Sequence, residues 1–155
     1  MLSHKLFPTL LLLCGISVSA LAAVEAPADP PLTRTMRVAV TNIEAATGMI
    51  WVGIYTGEDD FLIKEKARLV GVKVSGVGTA YIDLPDMEAG KEYALAVFHD
   101  VDNDGDMNRN WLGLPSEPWA FSGEPKTRLR LPRFDEVSFR MGYSDVSSTV
   151  RLRMF

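Results

Sequence analysis

Met49-Ile50-Trp51-Val52-Gly53-Ile54-Tyr55-Thr56 is the segment on which the fold turns. Gly48 opens it and Gly57 follows it, and its β-branched and aromatic residues leave no polar alternate that would mark a wetted face. A run this apolar and this short is unsuited to a surface strand and reads as a central one. Working outward, Met36, Val38 and Val40 alternate with Arg37, Ala39 and Thr41, a period-2 pattern that predicts a strand ending at Asn42. Residues 58–66 set Phe61, Leu62 and Ile63 among charges, which predicts a connection with a hydrophobic anchor. Residues 68–74 and 79–84 alternate again, and their close spacing predicts a hairpin. Tyr93, Leu95, Val97 and His99 fall on one face of a further strand, and residues 127–131, 137–141 and 149–154 supply three more period-2 segments.

Short strands separated by turn residues, with no sustained helical periodicity, predict an all-β fold: an antiparallel β-sandwich, immunoglobulin-like or prealbumin-like, of seven to eight strands with one long acidic loop. Arg128 with Arg130, and Arg151 with Arg153, sit at strand spacing and read as the wet face of a sheet.

The N-terminus sets the expected address. His4 and Lys5 precede an apolar run at residues 10–13 that continues through Ile16 and Val18, followed by Ala20, Ala22 and Ala23. That order is a secretory signal, and its apolar stretch falls short of the roughly 20 residues that span a bilayer. Cleavage after Ala22 gives residues 1–22 as signal peptide, 23–33 as a Pro-rich leader and 34–155 as the sandwich domain. Export to the periplasm or beyond the cell follows, with no transmembrane segment in the mature chain. Cleavage removes Cys14, the only cysteine, so stability must come from the core and from metal rather than from disulfides. It also removes Lys5 from the 16 basic residues and none of the 20 acidic ones, moving the net charge from −4 to −5. That balance argues against a nucleic-acid partner.

Chemistry concentrates in one segment. Asp100, Asp102, Asp104 and Asp106 occupy alternate positions with Gly105 between the last two, so four carboxylates crowd seven residues and repel one another unless a cation intervenes. Ca²⁺ suits such a site because it takes six to eight oxygen ligands with tolerant geometry. The D-x-D-x-D-G spacing matches the first half of a helix-loop-helix calcium loop, but the twelfth position is Trp111 rather than a bidentate Glu, and a strand precedes it. Glu117 is left to close the shell, with Asn108 and Asn110 as further amide donors. His99 is a candidate base or ligand, but the mature sequence holds no second His, no Cys and no G-x-S-x-G, so it is expected to support the loop from behind. Trp111 and Trp119 flank residues 113–118 and could stack on sugar rings; sealing the end of the sandwich is the expectation.

Ala96-Val97-Phe98-His99-Asp100, Asp102-Asn103-Asp104-Gly105-Asp106-Met107-Asn108, Gly113-Leu114-Pro115-Ser116-Glu117-Pro118 and Phe121-Ser122, with the later Pro132-Arg133-Phe134-Asp135-Glu136-Val137-Ser138-Phe139, resemble an exported bacterial family catalogued as domain of unknown function 2141. The resemblance implies a small, extracytoplasmic, β-rich domain and brings no activity, ligand or site residue. Three functions follow as expectations. The first is a binding or structural module with a calcium-ordered loop and an envelope or extracellular partner. The second is a carbohydrate-binding module using Trp111 and Trp119. The third, ranked last because catalytic transition-metal sites draw on more than one His or Cys, is a metal-dependent hydrolase centred on His99 and the aspartates.

Overall fold

The computed structural model describes residues 30–126 and 130–154. The expected signal peptide and most of the expected Pro-rich leader lie outside the described residues. Among the described residues, eight strands form two packed sheets. The first sheet is three-stranded, in the order β4 (Gly78–Glu88), β1 (Thr33–Ile43), β8 (Val146–Arg151). The second runs β3 (Arg68–Lys73), β2 (Met49–Tyr55), β5 (Glu92–Asp100), β6 (Trp119–Phe121), and a two-residue β7 (Phe139–Arg140) pairs with the start of β5. The protein is an all-β sandwich.

Alternation decides what goes inside. Met36, Val38 and Val40 of β1 and Ile82 and Leu84 of β4 face Ile50, Val52 and Ile54 of β2 and Leu95 and Val97 of β5, and all are buried in one cluster between the sheets. Each such side chain contributes roughly 1.5–3 kcal/mol through apolar area removed from water. Val150 and Leu152 complete the core from the C-terminal end.

The expected hairpin of residues 68–74 with 79–84 does not form. β3 pairs with β2, while β4 pairs with β1 across the sandwich. Val74 is buried at the crossing and residues 75–77 step from one sheet to the other. Alternation reports which face of a strand is buried and says nothing about which neighbour it pairs with. The C-terminal segments also differ from expectation. Phe134–Val137 is a single helical turn, α1; β7 is shorter than the expected 137–141; and β8 runs parallel to β1, in register from Met36↔Val146 to Thr41↔Arg151. Of the expected strand at 127–131, residues 127–129 lie outside the described residues, and Arg130 and Leu131 are not in a strand. Nor is Arg130 simply wetted: it donates two hydrogen bonds to Glu136, of 2.8 and 2.7 Å. Those bonds, joined by one from the Arg133 backbone N–H, lower the Glu136 carboxyl to about 2.

The outer face of the second sheet is the part that positions the site. It carries a second cluster, in which Phe61 packs edge-on against Tyr55 and Phe134 at centroid distances of 5.3 and 5.9 Å, with Val137 and Ala94 beside them. Residues 58–67 and α1 are thus anchored over one end of this face, and Phe61 is the anchor expected of the connection.

Candidate functional site

The acidic loop grows from the end of β5. Strand alternation sends His99 inward and Asp100 outward, so the two neighbours serve opposite sides of the sheet. His99 is fully buried; its Nε2 donates to the Thr47 carbonyl at 2.7 Å, and its backbone N–H donates to the Pro118 carbonyl at 2.8 Å. It therefore ties both the turn before β2 and the far end of the loop to β5.

Asp100 is also fully buried. Its Oδ1 accepts from the Asp104 N–H at 3.1 Å, and its Oδ2 from the Gly105 N–H at 3.0 Å and from the Trp51 indole Nε1 at 3.1 Å. These bonds wind the loop around the carboxylate, helped by left-handed backbone at Asn103 and Gly105 (φ 63° and 84°). Glu117, 5% exposed, reaches back from the returning arm: Oε1 accepts from the Val101 N–H at 2.8 Å and Oε2 from the Asn108 N–H at 3.1 Å. Asp102 is exposed and accepts from the Asn108 side-chain amide at 2.9 Å.

One carboxylate oxygen each from Asp100, Asp102 and Glu117 lies within 4.8 Å of the others. Among the described residues, no Lys or Arg forms an ion pair with any of these three. Ionised carboxylates at such a separation repel by roughly 3 kcal/mol per pair in partly buried surroundings, and two of them have also left water. The arrangement offers hard oxygen donors, with no nitrogen or sulfur donor in the group.

The other expected ligands are placed differently. Asp104 Oδ1 accepts from the Asp106 N–H at 2.9 Å, and Asp106 forms an ion pair with Lys64, whose ammonium it holds above the usual range. Asn110 Oδ1 accepts from the N–H groups of Leu112 and Leu114 and makes the tip turn. That turn points Trp111 into solvent, where it is 91% exposed, so Trp111 does not seal the sandwich. The prolines and Gly113 fold the returning arm back onto the loop itself, through Ser116 N–H to Asn108 O and the Arg109↔Pro115 bridge, rather than onto the core. Trp119 is half-buried on β6.

Beside the loop, the uncovered part of the outer face forms an apolar groove of about 470 Å³. Its floor is the cross-strand pair Trp51 and Phe98, with Trp119 and Phe121 along β6. The Trp51 ring lies flat because position 71 is glycine; a Cβ there would stand 2.5 Å from the ring. The acidic loop supplies one wall through Gly105, Met107, Arg109 and Pro115.

A family profile described as "Uncharacterized protein conserved in bacteria (DUF2141)" matches residues 38–149. The chain belongs to this family. The DUF2141 match takes in the whole acidic loop, His99 and every residue lining the groove. No curated protein and no solved structure matches. Of the five carboxylates that the sequence of this DUF2141 chain offers as ligands, the fold brings Asp100, Asp102 and Glu117 together and leaves Asp104 and Asp106 outside that group. The sequence reading missed Trp51, Phe98, Phe121, Lys64 and Arg109, although the unbroken apolar run of β2, including its outward Trp51 and Tyr55, was the available signal for a second covered face.

Proposed function

We propose that this chain is an exported binding module, acting in the periplasm or outside the cell, in which a calcium ion held by Asp100, Asp102 and Glu117 fixes the acidic loop as one wall of the groove. The observation that carries this reading is the convergence of two buried carboxylates and a third exposed one, all within 4.8 Å and, among the described residues, with no Lys or Arg ion-paired to them. Ca²⁺ would supply that charge and bind further oxygens from backbone or water. The backbone N–H groups that already orient Asp100 and Glu117 support a loop whose ligands are preorganised. The order of residues 4–23 supports export, and no helix of the described residues is long and apolar enough to cross a membrane.

The hydrolase alternative draws no support from this geometry, because His99 is fully buried on the core side and outside the carboxylate group. A two-tryptophan sugar platform is also poorly served, since Trp119 lines the groove and Trp111 does not.

Thermal melts of the mature protein in chelator and in millimolar Ca²⁺ test the reading. A ligand that binds only the folded state at a hundredfold over its Kd adds about 2.7 kcal/mol, which for a domain of this size raises Tm by roughly 10 °C. Asp102→Asn, at an exposed position, should melt normally in chelator and lose that rise. A native Tm that does not respond to Ca²⁺ would sink the proposal.

A further inference from the structure

We infer that the groove binds an alkyl-chain carboxylate, one free fatty-acid-like molecule, with its apolar chain on the Trp51 and Phe98 floor and its acid at Arg109. Three observations converge. The lining is aliphatic and aromatic, and its volume of about 470 Å³ falls within the span of small-molecule sites, roughly 300–1000 Å³. In a chain of net charge −4, the lining among the described residues includes three cations, Lys64, Arg109 and Arg130, and no Asp or Glu.

Two of those cations are already matched, Lys64 by Asp106 and Arg130 by Glu136. Arg109 donates to the Gly113 carbonyl at 2.9 Å and, among the described residues, has no carboxylate partner. The one uncompensated guanidinium among the described lining residues, beside one apolar trough, fits one acid on one chain; a membrane phospholipid, with two chains and a bulky headgroup, fits it less well. Arg is suited to the task because its planar fork meets a carboxylate with two parallel N–H donors.

The inference rests on the reading of the groove as the binding site, and Arg109 stands on the loop that calcium is proposed to fix. The test is a titration of the Trp111→Phe protein, residues 23–155, in Ca²⁺ with micromolar octanoate, decanoate and dodecanoate, followed by the fluorescence of Trp51 and Trp119, with dodecanol and phosphatidylcholine vesicles as further arms. Saturable binding that tightens roughly fourfold per methylene and is at least tenfold weaker for dodecanol is the expected result. Arg109→Gln should erase the preference for acid over alcohol while keeping the chain-length series. Leu69→Ser, at an exposed lining position, should weaken every chain without altering that preference. Equal affinity for alcohol and acid, binding of vesicles alone, or no saturation with any arm would overturn the inference. Failure here with an intact calcium-dependent Tm would leave the metal reading standing; loss of the calcium response with acid binding retained would do the reverse.

Discussion

Gly48→Ala is expected to destabilise the protein by at least about 3 kcal/mol and to lower Tm by more than 10 °C. Gly48 has φ +75°, a conformation that costs an L-residue roughly 1–2 kcal/mol. A Cβ there would also stand 1.9 Å from the backbone oxygen of Asp100 and 2.9 Å from the Cα of Val101. Neither contact can be relieved by turning a side chain, because both are backbone. The start of β2 and the first residues of the acidic loop would have to separate, and with them the Thr47 carbonyl that receives His99. Gly76→Ala is the control: its φ is not left-handed and nothing lies within 4 Å of a Cβ built there, so its Tm should stay near native. Equal melting temperatures for the two variants would contradict the close approach on which the loop's placement depends.

Asp100→Ala is expected to have the second large effect. It strands three donors, the N–H groups of Asp104 and Gly105 and the indole of Trp51, around a buried site. At 1–3 kcal/mol for each buried group left unpaired, the loss in Ca²⁺ should reach about 3 kcal/mol or more. It should also remove the calcium response entirely. In chelator the gap between variant and native protein should narrow, because deleting one of three mutually repelling carboxylates offsets part of the lost hydrogen bonding. Denaturant unfolding of both proteins in both conditions reads this directly. A deficit of the same size with and without Ca²⁺ would assign Asp100 a hydrogen-bonding role alone.

Both residues show how far the sequence could be read. Gly48 was visible as the residue opening a strand, but its partner is Asp100, 52 positions away by sequence number, and no local pattern encodes that approach. The alternate aspartates are legible because carboxylate spacing and a glycine turn are local chemistry, and Glu117 because it is the remaining acid of the segment. Asp106 was not separable from the others, since the cation that claims it, Lys64, comes from the connection after β2. The core faces of β1, β2 and β5 followed from alternation, whereas the split of β3 and β4 between sheets did not, because a three-residue step between sheets and a loose hairpin share one sequence signature. Trp111 was expected to seal the core because Gly113, Pro115 and Pro118 suggest a loop folded back on it; the Asn110 turn decides its direction instead. The groove escaped notice because its lining is drawn from strands, connection and loop together, and only the fold assembles them.

On the proposed function, three carboxylates, and not the acidic loop as a whole, hold one calcium ion. Calorimetric titration of Ca²⁺ into chelator-stripped mature protein, Asp102→Asn and Asp106→Asn tests it most directly. One site per chain in the native protein, retained in Asp106→Asn and lost in Asp102→Asn, is the expected result; no binding to the native protein, or equal weakening by the two substitutions, would contradict it.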